Sequence, residues 1–281
     1  MNQKIKIMKR YIAIILIAIP FIFSACTEEI HIDLDSTYDR IVIEGYFTDE
    51  YKVHQVKITK SADYFSNASA PAITGATVTI SDGTNTFNLT EIEDGLYETD
   101  TMAGVPGNTY TLNASIDGTI YTASSYMFTC PPMDSIGFAR NIWDDEWIDV
   151  LIYAQEPGDE INHYAWRAYK NDTLVTDTLH EVEFSDDVFI NGSYVNGVEV
   201  QYVQAEIGDT IMLEMHSITE DYYEYMLKVM LETVWNGGPF DGPPANFYGN
   251  LSNEALGFFA VYSVQWQTGI IPPDIPDAYE D

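Results

Sequence analysis

Two short acidic runs hold the side chains best suited to binding chemistry. One is Asp144-Asp145-Glu146 and the other is Asp186-Asp187. Carboxylate oxygens held in loops are ligands that Ca²⁺ prefers. We therefore predict both runs as candidate calcium ligands, although neither contains the Asp-x-Asp-x-Asp-Gly calcium loop. The alternative is that both are solvated surface carboxylates, the usual state of an acidic pair in so acidic a chain.

Two tryptophans, Trp143 and Trp147, flank the first acidic run. Aromatic faces beside carboxylates can bind sugars by stacking and hydrogen bonding, so these two residues are candidate ligand contacts. The alternative is packing in the protein core. It applies best to Trp147, which begins an apolar alternation.

Sequence motifs for catalysis are missing from the chain. It contains no Gly-x-Ser-x-Gly elbow, no His-Glu-x-x-His, no phosphate-binding P-loop and no Gly-x-Gly-x-x-Gly. The five histidines are scattered. We therefore expect a noncatalytic protein, with no cofactor other than the candidate Ca²⁺. Because residues distant in sequence can still form a catalytic triad, a hydrolase remains a hypothesis.

The first 25 residues have the layout of a bacterial signal peptide. Four cations and no anion occupy the first ten positions, and an uncharged apolar run follows from Tyr11 to Phe23. That run has 13 residues, whereas a transmembrane helix needs about 20. Phe23-Ser24-Ala25-Cys26 resembles a lipobox, although its first position is usually aliphatic. We predict cleavage before Cys26 and a diacylglycerol on its sulfur; the alternative is a secreted protein without lipid.

The net charge of the chain excludes one class of binding partner. The whole chain carries a formal charge of −32, and loss of the leader's four cations leaves 8 Lys and Arg against 44 Asp and Glu, a charge of −36. Affinity for nucleic acids comes from Lys and Arg on phosphates, so nucleic-acid binding is excluded. If Cys26 is lipidated, Cys130 has no partner for an intrachain disulfide.

A first β-domain is predicted for residues 41–130, after an acidic tether at residues 26–40. Apolar and polar residues alternate there with period two, as in β-strands. Asp82-Gly83, Asp94-Gly95 and Asp117-Gly118 interrupt the alternation, and Asp-Gly favours tight hairpin turns. Many short strands without a helical period predict an Ig-like or prealbumin-like β-sandwich.

A second β-rich domain is predicted for residues 134–271, beyond the boundary at Cys130-Pro131-Pro132. Apolar residues recur at helical spacing over about residues 218–235, after the capping-box sequence Ser217-Ile218-Thr219-Glu220, which predicts one amphipathic helix. Residues 272–281 are predicted to form a disordered tail. The predicted fold class is therefore mainly β, in two parts, with one helix.

Four motifs follow one another along the chain in a recognisable order: Val42-Ile43-Glu44-Gly45, Gly75-Ala76-Thr77-Val78-Thr79-Ile80, Gly104-Val105-Pro106-Gly107 and Leu256-Gly257-Phe258-Phe259-Ala260-Val261-Tyr262-Ser263. Their order resembles that in the Bacteroidetes lipoproteins called domain of unknown function 4249, and the likeness runs from about Cys26 to Ile270, nearly all of the mature chain. The resemblance implies a two-part β-protein, found near TonB-dependent outer-membrane receptors, for which no catalytic residues are established.

The same resemblance adds two expectations about the cell surface. Thr27-Glu28-Glu29 resembles the export signal of Bacteroidetes lipoproteins, which implies display on the outer face of the outer membrane; the alternative is periplasmic retention. Proteins of this phylum are also O-glycosylated at Asp-Ser/Thr-apolar tripeptides. The candidate sites of this kind are Ser135, Thr173, Thr178 and Thr210.

Three functional hypotheses follow. The leading one is a noncatalytic surface lipoprotein that assists a TonB-dependent receptor, by capturing a ligand or by docking on the barrel. The second is a structural or adhesive surface module that binds glycans or matrix. The third is a hydrolase, which requires a His within hydrogen-bond reach of a Ser and a carboxylate in one pocket.

The lipid anchor gives the first testable prediction. Cys26→Ala removes the only sulfur that can receive the diacylglycerol, so we expect the protein to lose its acyl chains and leave the membrane fraction. Cell fractionation and mass spectrometry of the amino terminus measure both effects. Recovery of the variant entirely in the membrane fraction would contradict the anchor.

Overall fold

The computed structural model of the protein describes residues 40–62, 69–144, 146–233 and 247–276. The predicted leader (1–25), Cys26 and all of the tether except Arg40 lie outside these residues. The described part contains sixteen β-strands and one α-helix, which confirms the mainly β fold with a single helix. None of its helices has the length and apolar character needed to cross a bilayer.

The strands are β1 Ile41–Thr48, β2 Gln55–Lys60, β3 Thr77–Ser81, β4 Thr86–Asn88, β5 Thr90–Glu93, β6 Leu96–Glu98, β7 Thr109–Ile116, β8 Thr119–Tyr126, β9 Met133–Arg140, β10 Trp147–Gln155, β11 His163–Lys170, β12 Thr173–Leu174, β13 Glu183–Asp186, β14 Tyr194–Gln204, β15 Thr210–Ile218 and β16 Leu256–Ile270. The helix, α1, is Glu220–Thr233.

One nine-stranded sheet runs through both halves of the chain. Its strand order is β12-β11-β15-β16-β1-β2-β6-β5, and β13 also pairs with β11. The four-stranded sheet β4-β3-β7-β8 packs on one half and the three-stranded sheet β14-β10-β9 on the other. Each half is therefore a two-layer β-sandwich with its own apolar core.

Period-two alternation explains how each core forms. In β7 every second side chain is buried, so Leu112 meets Ile43 of the nine-stranded sheet in the first core. In the second core Val150 of β10 packs with Trp166 and Leu213. The two cores share no residue. Each half of the chain therefore has the sequence pattern of a separate sandwich.

Strand β16 joins the two sandwiches. Residues 256–262 pair in parallel with β1, and residues 263–270 pair antiparallel with β15. Phe259 of this strand is fully buried in the first core. The predicted boundary near residue 131 does fall between β8 and β9. However, the prediction that β16 belongs to the second domain alone is wrong, because the first sandwich is incomplete without this strand.

Polar side chains satisfy the backbone where β16 changes partner. Asp49 Oδ1 accepts a hydrogen bond from Val264 N at 2.9 Å. Ser263 Oγ accepts one from Cys130 N at 2.7 Å and donates one to Phe128 O at 2.6 Å. Because buried backbone groups must be paired, these two side chains allow the strand to cross between sandwiches without orphaned groups.

Helix α1 packs on the outer face of the nine-stranded sheet. The Tyr222 and Tyr225 rings lie 5.0 and 5.1 Å from the Phe258 ring. Thr219 Oγ1 accepts a hydrogen bond from Tyr222 N at 3.3 Å. Thr219 therefore caps the helix, and not Ser217 as the capping-box prediction placed it, because Ser217 still belongs to β15.

The residues after β16 have defined contacts. Ile275 packs against the second core, and Arg140 N donates a hydrogen bond to Pro276 O at 2.9 Å. The prediction of a disordered tail is therefore corrected for residues 272–276, because apolar side chains anchor them. Residues 277–281 lie outside the described part.

The contact between β1 and β16 gives the second prediction. Gly257 has φ +92°, and a Cβ there would lie 2.2 Å from Ile43 O. We expect Gly257→Ala to lower the free energy of unfolding by about 3 kcal/mol or more, through backbone strain and this close contact. Gly107 has φ +93° with nothing within 4 Å of its Cβ position, so Gly107→Ala isolates the strain, about 1 kcal/mol. If urea denaturation shows that Gly257→Ala and Gly107→Ala lower the free energy of unfolding equally, the role of the close contact with Ile43 is refuted.

Candidate functional site

A cleft opens where three strands of the nine-stranded sheet meet at one level. His163, the first residue of β11, lies opposite Ile218 of β15 on one side and Asp186 of β13 on the other. Helix α1 begins just beyond, at Glu220. The volume of about 590 Å³ is in the range of small-molecule sites. We call it the acidic cleft; its lining residues are Phe128, Glu160, Ile161, Asn162, His163, Asp186, Val188, Ile218, Glu220, Tyr223 and Glu224.

The described lining of the acidic cleft contains no Lys or Arg and four carboxylates, those of Glu160, Asp186, Glu220 and Glu224. The His163 and Tyr223 ring centroids lie 4.9 Å apart. Ile161 and Val188 are exposed at 43% and 53% and give the rim apolar contact area. This combination of negative charge, aromatic faces and apolar rim suits a ligand with positive charge or several hydroxyls.

Two loops beside the cleft are tied together by backbone hydrogen bonds. They are residues 156–162, which link β10 to β11, and residues 187–193, which link β13 to β14. The bonds run from Asp187 N to Asn162 O at 3.2 Å, from Gly192 N to Pro157 O at 3.1 Å and from Glu156 N to Ser193 O at 3.0 Å. The two loops therefore form one folded unit, and Asn162 also lines the cleft.

Four side chains of these loops form what we call the buried acceptor cluster: Glu156, Asn162, Asp187 and Asn191. Asp187 is 0% exposed, and its Oδ1 accepts a hydrogen bond from Asn162 N at 3.0 Å. Its Oδ2, Asn162 Oδ1 and Asn191 Oδ1 are buried without any donor. A buried acceptor left unpaired costs about 1–3 kcal/mol, so three in one loop pair require an explanation.

The carboxyl of Glu156 completes this cluster. It is 5% exposed and accepts a hydrogen bond from the Tyr164 hydroxyl. Burial raises the pKa of Glu156 to about 7; the Tyr164 hydroxyl opposes this rise, and the adjacent Asp187 carboxyl adds to it. Because two neighbouring buried carboxyls cannot both ionise cheaply, Glu156 holds a proton up to neutral pH.

The first predicted acidic run stays at the surface. Asp144 and Glu146 are exposed, and Asp145 lies outside the described residues. Asp144 Oδ1 accepts a hydrogen bond from Glu146 N at 2.9 Å, so it fixes the turn. Trp143 is 87% exposed, whereas Trp147 is half-buried and packs edge-on against Tyr202 at 5.1 Å.

The second acidic run is divided between two environments. Asp186 is exposed and lines the acidic cleft, whereas Asp187 belongs to the buried acceptor cluster. Seven steps along β10, from residue 147 to residue 154, separate the levels of the two runs, a distance of about 23 Å. The runs therefore do not share a site. No described group of three or more His, Cys, Asp or Glu side chains could hold a metal.

The predicted modification sites differ in accessibility. Ser135, Thr173 and Thr178 are exposed, and Thr210 is half-buried. Cys26 lies outside the described residues. Cys130 is buried with a free thiol, and burial raises its pKa well above the ordinary value.

The described histidines make these contacts: His54 Nε2 with Met102 O at 3.0 Å, His163 with the Tyr223 ring, His180 Nδ1 with Thr178 Oγ1 at 2.9 Å and His216 Nε2 with Glu214 Oε1 at 2.8 Å. None of these contacts is with a serine hydroxyl. The described residues therefore provide no Ser-His-carboxylate arrangement of the kind that the hydrolase hypothesis requires. His31 lies outside them.

Sequence reasoning did not single out Glu156, Glu160, Asn162 or Asn191. The local sequence around them, Glu156-Pro157-Gly158 and Asn191-Gly192, indicates turns only. Their importance arises from the meeting of the two loops, which depends on the pairing of β11 with β13. No local signal in the sequence carries that information.

Comparisons with known proteins give one family match. The family described as "Domain of unknown function (DUF4249)" matches residues 27–268. A solved structure of the adhesin InvE of Yersinia pseudotuberculosis is 17% identical with a TM-score of 0.21. That match covers 63% of this chain and 55% of the adhesin chain, so it spans about half of the adhesin structure. No curated protein matches the chain.

The buried acceptor cluster gives the third prediction. The folded state binds the Glu156 proton more tightly than the unfolded chain does, so the free energy of unfolding falls as the pH rises from about 4.5 to about 7. We expect Glu156→Gln to remove on the order of 2 kcal/mol of this fall. Urea denaturation in chelator at several pH values measures it. Asp144→Asn, at an exposed carboxylate, is the control, and a wild-type slope in Glu156→Gln would refute the assignment.

Proposed function

Because this chain belongs to the DUF4249 family, as its sequence motifs predicted, we propose that it is a noncatalytic lipoprotein of the outer membrane that captures a ligand at the cell surface for a TonB-dependent receptor. The leader and Cys26 support the anchor, and Thr27-Glu28-Glu29 supports display on the outer face. The acidic cleft is the observation that carries the capture function.

The chemistry of the cleft favours binding over catalysis. Its described lining contains no Ser, Thr or Cys that could act as a nucleophile. Its four carboxylates, the Tyr223 ring and the apolar rim instead offer charge, stacking and contact area. We therefore expect the ligand to be a small cationic or polyhydroxylated molecule.

A lipid anchor would make weak capture sufficient. An anchored protein shares the membrane with the receptor, so the effective concentration of the protein near the receptor is high. A modest affinity for the ligand is then enough to pass it to the receptor. The charge of −36 on the mature chain keeps the body away from anionic headgroups and attracts cationic ligands.

The fourth prediction tests the receptor partner. The acylated protein, purified in detergent from native outer membranes through a carboxyl-terminal tag, is expected to bring down a TonB-dependent receptor that mass spectrometry identifies. Tyr223→Ala, which opens the cleft wall, is expected to keep the receptor while lowering the amount of co-purified small molecule several-fold. Tyr51→Ala is the control, since Tyr51 is 78% exposed and lies outside the cleft. A wild-type eluate without any receptor would refute the proposal.

Trp143 favours an adhesive module as the second candidate function. Its side chain is 87% exposed on a turn whose backbone is fixed by Asn141 Oδ1, which accepts a hydrogen bond from Trp143 N at 2.9 Å. An exposed indole on a rigid turn can stack on sugar rings. Binding of the wild type to immobilised glycans, lost in Trp143→Ala and unaffected by Tyr223→Ala, would favour this function over capture in the cleft.

A further inference from the structure

The buried acceptor cluster contains more oxygen acceptors than the chain has donors for them. Asp187 Oδ2, Asn162 Oδ1 and Asn191 Oδ1 are buried and unpartnered, and Asp187 is 0% and Asn162 9% exposed. The Asp187 carboxyl faces that of Glu156 within hydrogen-bond reach. We propose that this cluster is a Ca²⁺ site, with the carboxylates of Glu156 and Asp187 as its charged ligands.

The ligand chemistry favours Ca²⁺ over other metals. The cluster offers carboxylate and amide oxygens and no thiolate or imidazole, which argues against zinc and the softer transition metals. Ca²⁺ accepts six to eight oxygens in flexible geometry, whereas Mg²⁺ demands a near-ideal octahedron. Asn162 and Asn191 would supply side-chain oxygens beyond the two carboxylates.

Charge balance supports a divalent ion. Once Glu156 loses its proton, the cluster holds two buried carboxylates, which carry a large desolvation cost without a counter-charge, and the described residues place no Lys or Arg in contact with either. A single Ca²⁺ would neutralise both carboxylates and give the three orphaned oxygens a partner. One ion bound among these oxygens would therefore account for the three unpaired acceptors.

The two loops are already arranged for such an ion. Backbone bonds join residues 156–162 to residues 187–193, and Asn191 Nδ2 donates to Glu160 O at 3.0 Å. Little further ordering is needed on binding, which favours affinity. Because Glu160, Asn162 and Val188 also line the acidic cleft, the ion would fix one wall of the cleft, whatever the cleft binds.

The fifth prediction uses the mature acylated protein in detergent, stripped with a chelator and then given CaCl₂ alone. We expect Ca²⁺ at about a hundred times its dissociation constant to raise the midpoint of thermal unfolding by about 5 °C or more. Terbium luminescence gives a second readout, since the Trp166 ring is 5.7 Å from that of Tyr164, which contacts Glu156. Displacement of Tb³⁺ by added Ca²⁺ is expected.

Variants locate the ion. Asp187→Asn keeps an acceptor for Asn162 N but removes the charge of the carboxylate. Glu156→Gln likewise keeps an acceptor for the Tyr164 hydroxyl and removes the second charge. Each variant is expected to abolish the thermal shift caused by Ca²⁺ and to lower the terbium luminescence at least tenfold. Glu156→Gln serves if Asp187→Asn fails to fold. The control is Asp159→Asn, at an exposed carboxylate of the same loop that lies outside the cleft lining, and it should behave as wild type.

Two outcomes would overturn the proposal. One is a wild-type protein whose unfolding midpoint does not change with Ca²⁺ and that shows no terbium luminescence. That result would mean that a shared proton, and not a metal ion, neutralises the Glu156 and Asp187 carboxyls. The other is equal luminescence in all four proteins, which would assign the ion to surface carboxylates. Neither outcome bears on receptor co-purification, so this site and the proposed function fail or stand separately.

Discussion

Strand β16 forms backbone hydrogen bonds with β1 along its first half and with β15 along its second half. Both sandwiches depend on this strand, because each needs it to complete one layer. The change of partner at Ser263 and Val264 would leave backbone groups unpaired without the Ser263 hydroxyl and the Asp49 carboxylate. A few polar side chains thus allow one continuous sheet to serve two separate cores.

The position of the acidic cleft follows from the same sheet. Because β11 begins where β13 and β15 end, His163, Asp186 and Ile218 converge beside the start of α1. The connecting loops then fold back over that edge and carry Glu156, Asn162 and Asp187 into a buried position. The acidic cleft lies where the β-ladder stops, because side chains from several strands are free of the cores there.

Sequence reasoning recovered local structure well. Asp117 and Gly118 have φ values of 48° and 83° and form the predicted tight turn between β7 and β8, because that turn depends on two residues alone. The parallel pairing of β1 with β16 has no local signal and was not predicted. Asp186 and Asp187 were predicted together, yet one is exposed and one buried, because neighbouring residues of an extended chain face opposite ways and only the partner loops decide which is covered.

The pairing of β1 with β16, the first and last strands of the part of the chain that the structure describes, also constrains how the protein reaches its native state. A chain synthesised from its amino terminus presents the β1 edge long before β16 emerges. Contacts between such distant segments form slowly, and an open strand edge invites pairing with other chains. Folding of the first sandwich therefore finishes only after β16 has been synthesised, and chaperones that shield strand edges would act during that interval.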